Sequence, residues 1–77
     1  MYEKITKKIM KLMGEKLVAR KSELVECVKG DIKGNPHNPR SVVDSITKIL
    51  VQRGLITSVY ASETTFAITQ KGMREVR

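Results

Sequence analysis

A chain of 77 residues with 15 Lys and Arg against 8 Asp and Glu has a formal charge of +7 and room for one domain, near the lower size at which a single apolar core suffices. Hydrophobic residues at 40% exclude a disordered polymer, although only Tyr2, Tyr60 and Phe66 are aromatic, so the expected core is aliphatic and thin. One cysteine, Cys27, excludes an internal disulfide and a cysteine-built zinc site, and no stretch reaches the ~20 apolar residues of a membrane span.

Residues 2–13 read as an amphipathic helix. Tyr2, Ile5, Ile9, Leu12 and Met13 fall within about a third of a turn at 100° per residue, with Met10 at the margin. Lys4, Lys7, Lys8 and Lys11 cluster on the other side, either as a solvated face or as a surface for phosphates or a partner. The pairs Lys4/Lys8 and Lys7/Lys11 are like charges four apart, each costing about 0.3 kcal/mol in an isolated helix. Gly14 is expected to close the helix. This charged, amphipathic start is not a signal peptide, so a cytoplasmic or nucleoid-associated location is expected.

Residues 17–20, Leu-Val-Ala-Arg, suit a short strand. Ser22 then offers an N-cap for a second helix over about 22–30, with Glu23 and Glu26 near its positive end. Leu24, Val25, Cys27 and Val28 fill its inward side, which makes Cys27 a buried thiol by default and an intermolecular disulfide by alternative. Gly34-Asn35-Pro36-His37-Asn38 is a loop. His37, alone and without a second ligand, reads as a loop histidine rather than a metal or catalytic group.

Asn38-Pro39 signals the start of a third helix over about 39–53, although Ser41 and Asp44 also fit a capping box. Val42, Val43, Ile46, Ile49 and Leu50 share an arc of about 120°. Opposite lie Arg40, Ser41, Asp44, Ser45, Thr47, Lys48 and Gln52, with Val51 as an apolar misfit. Arg53-Gly54 has the form of a helix stop, and two β-type runs follow at 55–60 and 65–69. The fold class is therefore α+β, a single domain over 1–77 in the order helix, short strand, helix, helix, β-hairpin.

That order resembles the winged helix-turn-helix DNA-binding family, particularly small repressors of the multiple-antibiotic-resistance and phenolic-acid types and minimal winged-helix proteins of archaeal viruses and plasmids. The resemblance rests on Val43, Ile46 and Leu50, on Arg53-Gly54-Leu55-Ile56, and on Ile68-Thr69-Gln70-Lys71-Gly72-Met73. It spans about 70 residues as an order of elements and about the last 30 as motifs. A viral or plasmid origin would place the protein inside the host cell. With five residues following Gly72, the long dimerisation helix of many repressors is not expected.

The resemblance implies a sequence-specific regulator of transcription, a repressor by analogy, binding double-stranded DNA. Its third helix would enter the major groove, with Arg40, Ser41, Asp44, Ser45 and Lys48 toward the bases and Thr47 a weaker candidate. Arg40 is the expected guanine contact, and Asp44 is expected to pair with Lys48 within the helix. Arg20, Lys21 and Ser22 would meet phosphates at the start of the second helix. The expected wing tip, Ala61-Ser62-Glu63-Thr64, has no cation, which shifts the expected contact to the third helix. A thin core and two-fold operators favour a homodimer. Cofactors, small-molecule ligands and catalysis are not expected, for no nucleophile-base pair or phosphate loop is present. The alternatives are a winged-helix protein-protein module of a transcription, replication or segregation complex, and a non-specific architectural nucleic-acid binder.

Overall fold

Helical and β-type patterns alternate along the chain, and in the computed structural model they assemble as α1 (Glu3–Lys16), β1 (Val18–Arg20), α2 (Lys21–Val28), a 3-10 turn (Lys29–Ile32), α3 (Pro39–Gln52), β2 (Ile56–Tyr60), β3 (Thr64–Ile68) and α4 (Gln70–Glu75). The structure describes residues 3–32, 38–60 and 63–76; Tyr2, the loop residues Gly34 to His37 and the tip residues Ala61 and Ser62 lie outside them. The architecture is α+β, with four helices and a three-stranded antiparallel sheet ordered β1-β3-β2. β3 is central, pairing Ala19 with Phe66 on one side and Ser58 with Phe66 on the other. Its core-facing side carries Phe66 over Ala19 and Ile56, and the helices close around these residues.

The first helix does not stop at Gly14. It continues to Lys16, and Leu17 takes the left-handed conformation at φ 68° while its N–H donates to Met13 O at 2.7 Å. Sequence logic puts glycine in such a position, since a left-handed L-residue costs about 1–2 kcal/mol. Gly14 instead makes room for Val76, because a Cβ there would sit 2.9 Å from a Val76 methyl. Leu17 consequently precedes the strand and does not open it. Its carbonyl accepts from Ile68 N–H at 2.9 Å, which hands the chain from α1 to the edge of β3.

The buried faces of α1 and α3 are each rotated slightly from the expected arcs. Met10 joins Ile5, Ile9 and Met13 in the core, while Leu12 is only partly covered. In α3 Thr47 is buried and Ile49 is half exposed. The Thr47 hydroxyl donates to Val43 O at 2.8 Å, so its burial leaves no unpaired polar atom, and hydrophobicity alone misplaces it.

α2 starts one residue early, at Lys21. Arg20 occupies the N-cap position without a side-chain hydrogen bond, and Ser22 lies in the first turn, so Ser22 is not the cap. The α-helix ends at Val28, where the 3-10 turn takes over. Asn38 does cap α3, its Oδ1 accepting from Arg40 N–H at 2.8 Å, with Pro39 at the first helical position. The competing Ser41 and Asp44 box is not used.

At the other end of α3, Gly54 has φ 76°, Leu55 N–H donates to Leu50 O at 3.0 Å and Gly54 N–H to Val51 O at 3.0 Å, a Schellman closure. Of the strands that follow, β2 starts one residue later than the expected 55–60 and ends with it, and β3 lies one residue earlier than the expected 65–69. The fourth helix corresponds to no expected element. Thr69 caps it, its hydroxyl accepting from Gly72 N–H at 3.0 Å and lying 2.6 Å from Gly54 O, while Lys71 Nζ donates to Arg53 O at 2.9 Å.

Gly72 is needed because α4 lies directly on the α3–β2 junction: a Cβ there would fall 2.1 Å from Leu55 O. Gly72→Ala is expected to lower stability by about 3 kcal/mol despite alanine's helix preference, since neither backbone can yield locally. Leu17→Gly is expected to leave stability unchanged or raise it by up to about 1 kcal/mol, whereas Lys11→Gly lowers it by about 1 kcal/mol. Urea unfolding of the three variants checks all three signs.

Candidate nucleic-acid interface

α3 contains one carboxylate. Its exposed residues are Arg40, Ser41, Asp44, Ser45, Lys48, Ile49, Val51 and Gln52. At 100° per residue Ser41, Lys48 and Gln52 form the crest of this face, flanked by Arg40, Asp44 and Val51 on one side and by Ser45 and Ile49 on the other. Asp44 does not pair with Lys48. Its Oδ1 lies 2.5 Å from Lys21 Nζ, across the α2–α3 corner. Two of the expected contact residues thus neutralise each other, and Arg40 and Lys48 are left as the cations of the α3 face.

Arg20 is diverted in the same way. Its Nε is 3.4 Å from Glu63 Oε1, so the described end of the β2–β3 hairpin carries an anion that reaches back to the start of α2. Ser22 is exposed beside it. Lys16 lies 2.6 Å from Glu23 Oε2, a charge contact rather than an aligned hydrogen bond. The expected phosphate group therefore consists of one free hydroxyl and two cations that are already paired.

On α1, Lys4, Lys7, Lys8 and Lys11 are all exposed. Lys8 Nζ donates to Asp31 Oδ2 at 2.7 Å, tying α1 to the 3-10 turn. That hydrogen bond holds the Asp31 carboxyl below its ordinary value, with the Lys8 and Lys4 charges adding to the effect, and holds the Lys8 ammonium above its own. Among the described residues, Lys4, Lys7 and Lys11 keep no ion pair. Lys7 shares a groove of about 380 Å³ with Glu3, Thr6, Ser45, Ile49 and Arg53, so the basic side of α1 and one flank of α3 form a continuous surface.

Sequence reasoning misses Ile49 and Arg53 as parts of this surface. Ile49 lies at the edge of the apolar arc, where a small rotation of the helix decides between core and solvent, and Arg53 reads in the sequence only as a helix stop. Thr47 is withdrawn from the surface, because it is buried. Cys27 is a free, half-buried thiol beside Leu12, Lys16 and Glu26. No group of His, Cys, Asp and Glu among the described residues is arranged to hold a metal ion, and no described helix is long and apolar enough to cross a membrane. Comparison of the chain with family models, with curated proteins and with solved structures gives no match in any of the three.

The Lys8–Asp31 pair sets a pH window. A lowered carboxyl pKa contributes stability above the ordinary value of 3.8 and loses it as pH falls through the lowered one; a raised ammonium pKa contributes below 10.5 and loses it as pH rises through the raised one. An NMR titration of the Asp31 carboxyl carbon is expected to show a midpoint below 3.8 that moves up toward it in Lys8→Met.

Proposed function

We propose that the protein is a winged helix-turn-helix regulator that binds double-stranded DNA through the outer face of α3, acting inside the cell as a homodimer. The observation that carries this reading is the charge arrangement of α3: its sole carboxylate is held by Lys21, while Arg40 and Lys48 pair with no acid among the described residues and share the exposed face with Ser41, Ser45 and Gln52. Such a face offers guanidinium and hydroxyl groups to base edges without presenting a free anion to phosphate. A 14-residue helix rises about 21 Å, and the major groove, about 12 Å wide, accommodates a helix. Lys4, Lys7 and Lys11 add sequence-independent attraction beside it.

Arg40 has the strongest case for base readout because it lies in the first turn, the part of such a helix that reaches deepest. Lys48, one face further along, is better placed for phosphate. Asp44, clasped by Lys21, orients the α2–α3 corner instead of meeting a cytosine. The anion at Glu63 argues against the hairpin end as a main contact.

A second reading follows from one observation, the half-exposed Ile49 in the groove between α1 and α3. An apolar side chain between Lys7 and Arg53 suits a protein partner with an acidic rim around an apolar anchor, as in the interaction-module alternative.

Mobility shifts on DNA upstream of the protein's own gene, and on an unrelated duplex, separate these readings. Arg40→Ala is expected to weaken the specific complex by at least ~10-fold and to flatten the preference between the duplexes. Lys48→Ala is expected to weaken both complexes alike and to reduce the salt slope by about one. Asp44→Asn, which frees Lys21, is expected to tighten non-specific binding. No retardation of either duplex at low salt would overturn the DNA reading and leave the partner module.

A further inference from the structure

β2 is an edge strand without the usual protection. Its five residues, Ile56-Thr57-Ser58-Val59-Tyr60, include no charge and no proline, although 30% of the chain is charged. Its pairing with β3 runs through five consecutive positions without a bulge. Charges, prolines and bulges are what normally keep such an edge from pairing with another strand. The opposite edge, β1, has only three residues and ends in Arg20.

The direction of the open hydrogen-bonding groups follows from the ladder. Thr69 N–H donates to Leu55 O at 3.1 Å, and antiparallel pairs alternate in steps of two, so Thr57 and Val59 bond to β3 opposite Ala67 and Thr65. The N–H and C=O groups of Ile56, Ser58 and Tyr60 therefore turn away from β3. Thr57, Ser58 and Val59 are all exposed, Val59 by 44%.

We propose that β2 is the seam of a homodimer, pairing antiparallel with β2 of a second copy about a two-fold axis at Ser58. In that register Ile56 lies opposite Tyr60 of the second copy and Ser58 opposite its equivalent, each pair exchanging both backbone hydrogen bonds. Thr57 faces Val59 of the second copy, a β-branched cross-strand pair. Two chains of charge +7 repel each other, and β2 is where they meet without opposing any side-chain charge. An acidic partner would instead be drawn to the lysines of α1, so the charge pattern selects a second copy as the occupant. The pairing is isologous, so it closes at two subunits.

A five-residue seam buries less than the ~1,200 Å² of a stable interface, so the dimer is expected in the micromolar range. The inference deepens the homodimer part of the proposed function and rests on the sheet and not on DNA binding; its readout is mass, so the β2 seam and the DNA contact can fail separately. Sedimentation equilibrium of the reduced protein, over about 5 to about 500 µM to span that range, is expected to show a monomer–dimer equilibrium. Ser58→Pro removes an outward N–H while sparing the β2–β3 ladder, and Val59→Lys places a cation at the seam; each is expected to raise the dimer Kd at least ~10-fold. Circular dichroism verifies that both remain folded, and if Ser58→Pro unfolds the test rests on Val59→Lys. Ile49→Ala, in the α1–α3 groove, is expected to leave the Kd unchanged. A monomer at every concentration would overturn the proposal, as would a dimer that survives Val59→Lys or is lost in Ile49→Ala.

Discussion

The rest of the structure depends on how the carbonyl end of α3 is closed. Arg53 O accepts from Lys71, Gly54 O lies within hydrogen-bonding distance of the Thr69 hydroxyl, and Leu55 O accepts from Thr69 N–H. These three carbonyls follow the last helical residue, Gln52, and the segment that leaves β3 beside Leu55 supplies their donors. Thr69 also caps α4, so a single hydroxyl joins the exit of α3 to the entrance of the last helix. Gly72 lets the two backbones touch. Because the orientation of α3 decides which of its side chains face outward, this clamp at its C-terminal end bears on the candidate interface.

Charge is arranged around the same helix. Among the described residues four ion pairs are made: Lys8 with Asp31, Lys16 with Glu23, Arg20 with Glu63 and Lys21 with Asp44. Exposed pairs of this kind contribute little to stability. Their larger effect is on the field, because each takes an acid away from the open surface. Among the described residues, Lys4, Lys7 and Lys11 on α1 and Arg40 and Lys48 on α3 are exposed cations outside these pairs, as are Lys29, Arg53 and Arg74 elsewhere. β2, by contrast, carries no charged side chain, and the molecule presents two chemically distinct surfaces.

Glycine placement shows why local rules hold in one place and fail in another. Gly54 follows the rule, with a left-handed residue at a helix end and the pattern visible in Arg53-Gly54. Gly14 and Leu17 invert it, for the helix runs through the glycine and ends on a leucine held at φ 68°. Gly14 instead lies against Val76, a contact that no local window contains. Thr47 and Ile49 exchange their expected places for a similar reason: a hydroxyl that bonds its own helix can be buried, and an isoleucine at the edge of an arc can be left beside a groove.

The sequence by itself determined the α+β order of the expected elements, the Asn38 cap, the Gly54 stop, the basic face of α1 and the polar face of α3. These depend on spacing within a few residues, where backbone preference and helical or strand periodicity act directly. Tertiary structure alone decided the extension of α1 past Gly14, the fourth helix, the rotation that buries Thr47 and exposes Ile49, and the choice of ion partners. Asp44 has a lysine four residues away in its own helix, yet it meets Lys21, because the corner between α2 and α3 brings that ammonium closer. Partners of this kind are set by distances in space between elements, and such distances are fixed only when the core closes.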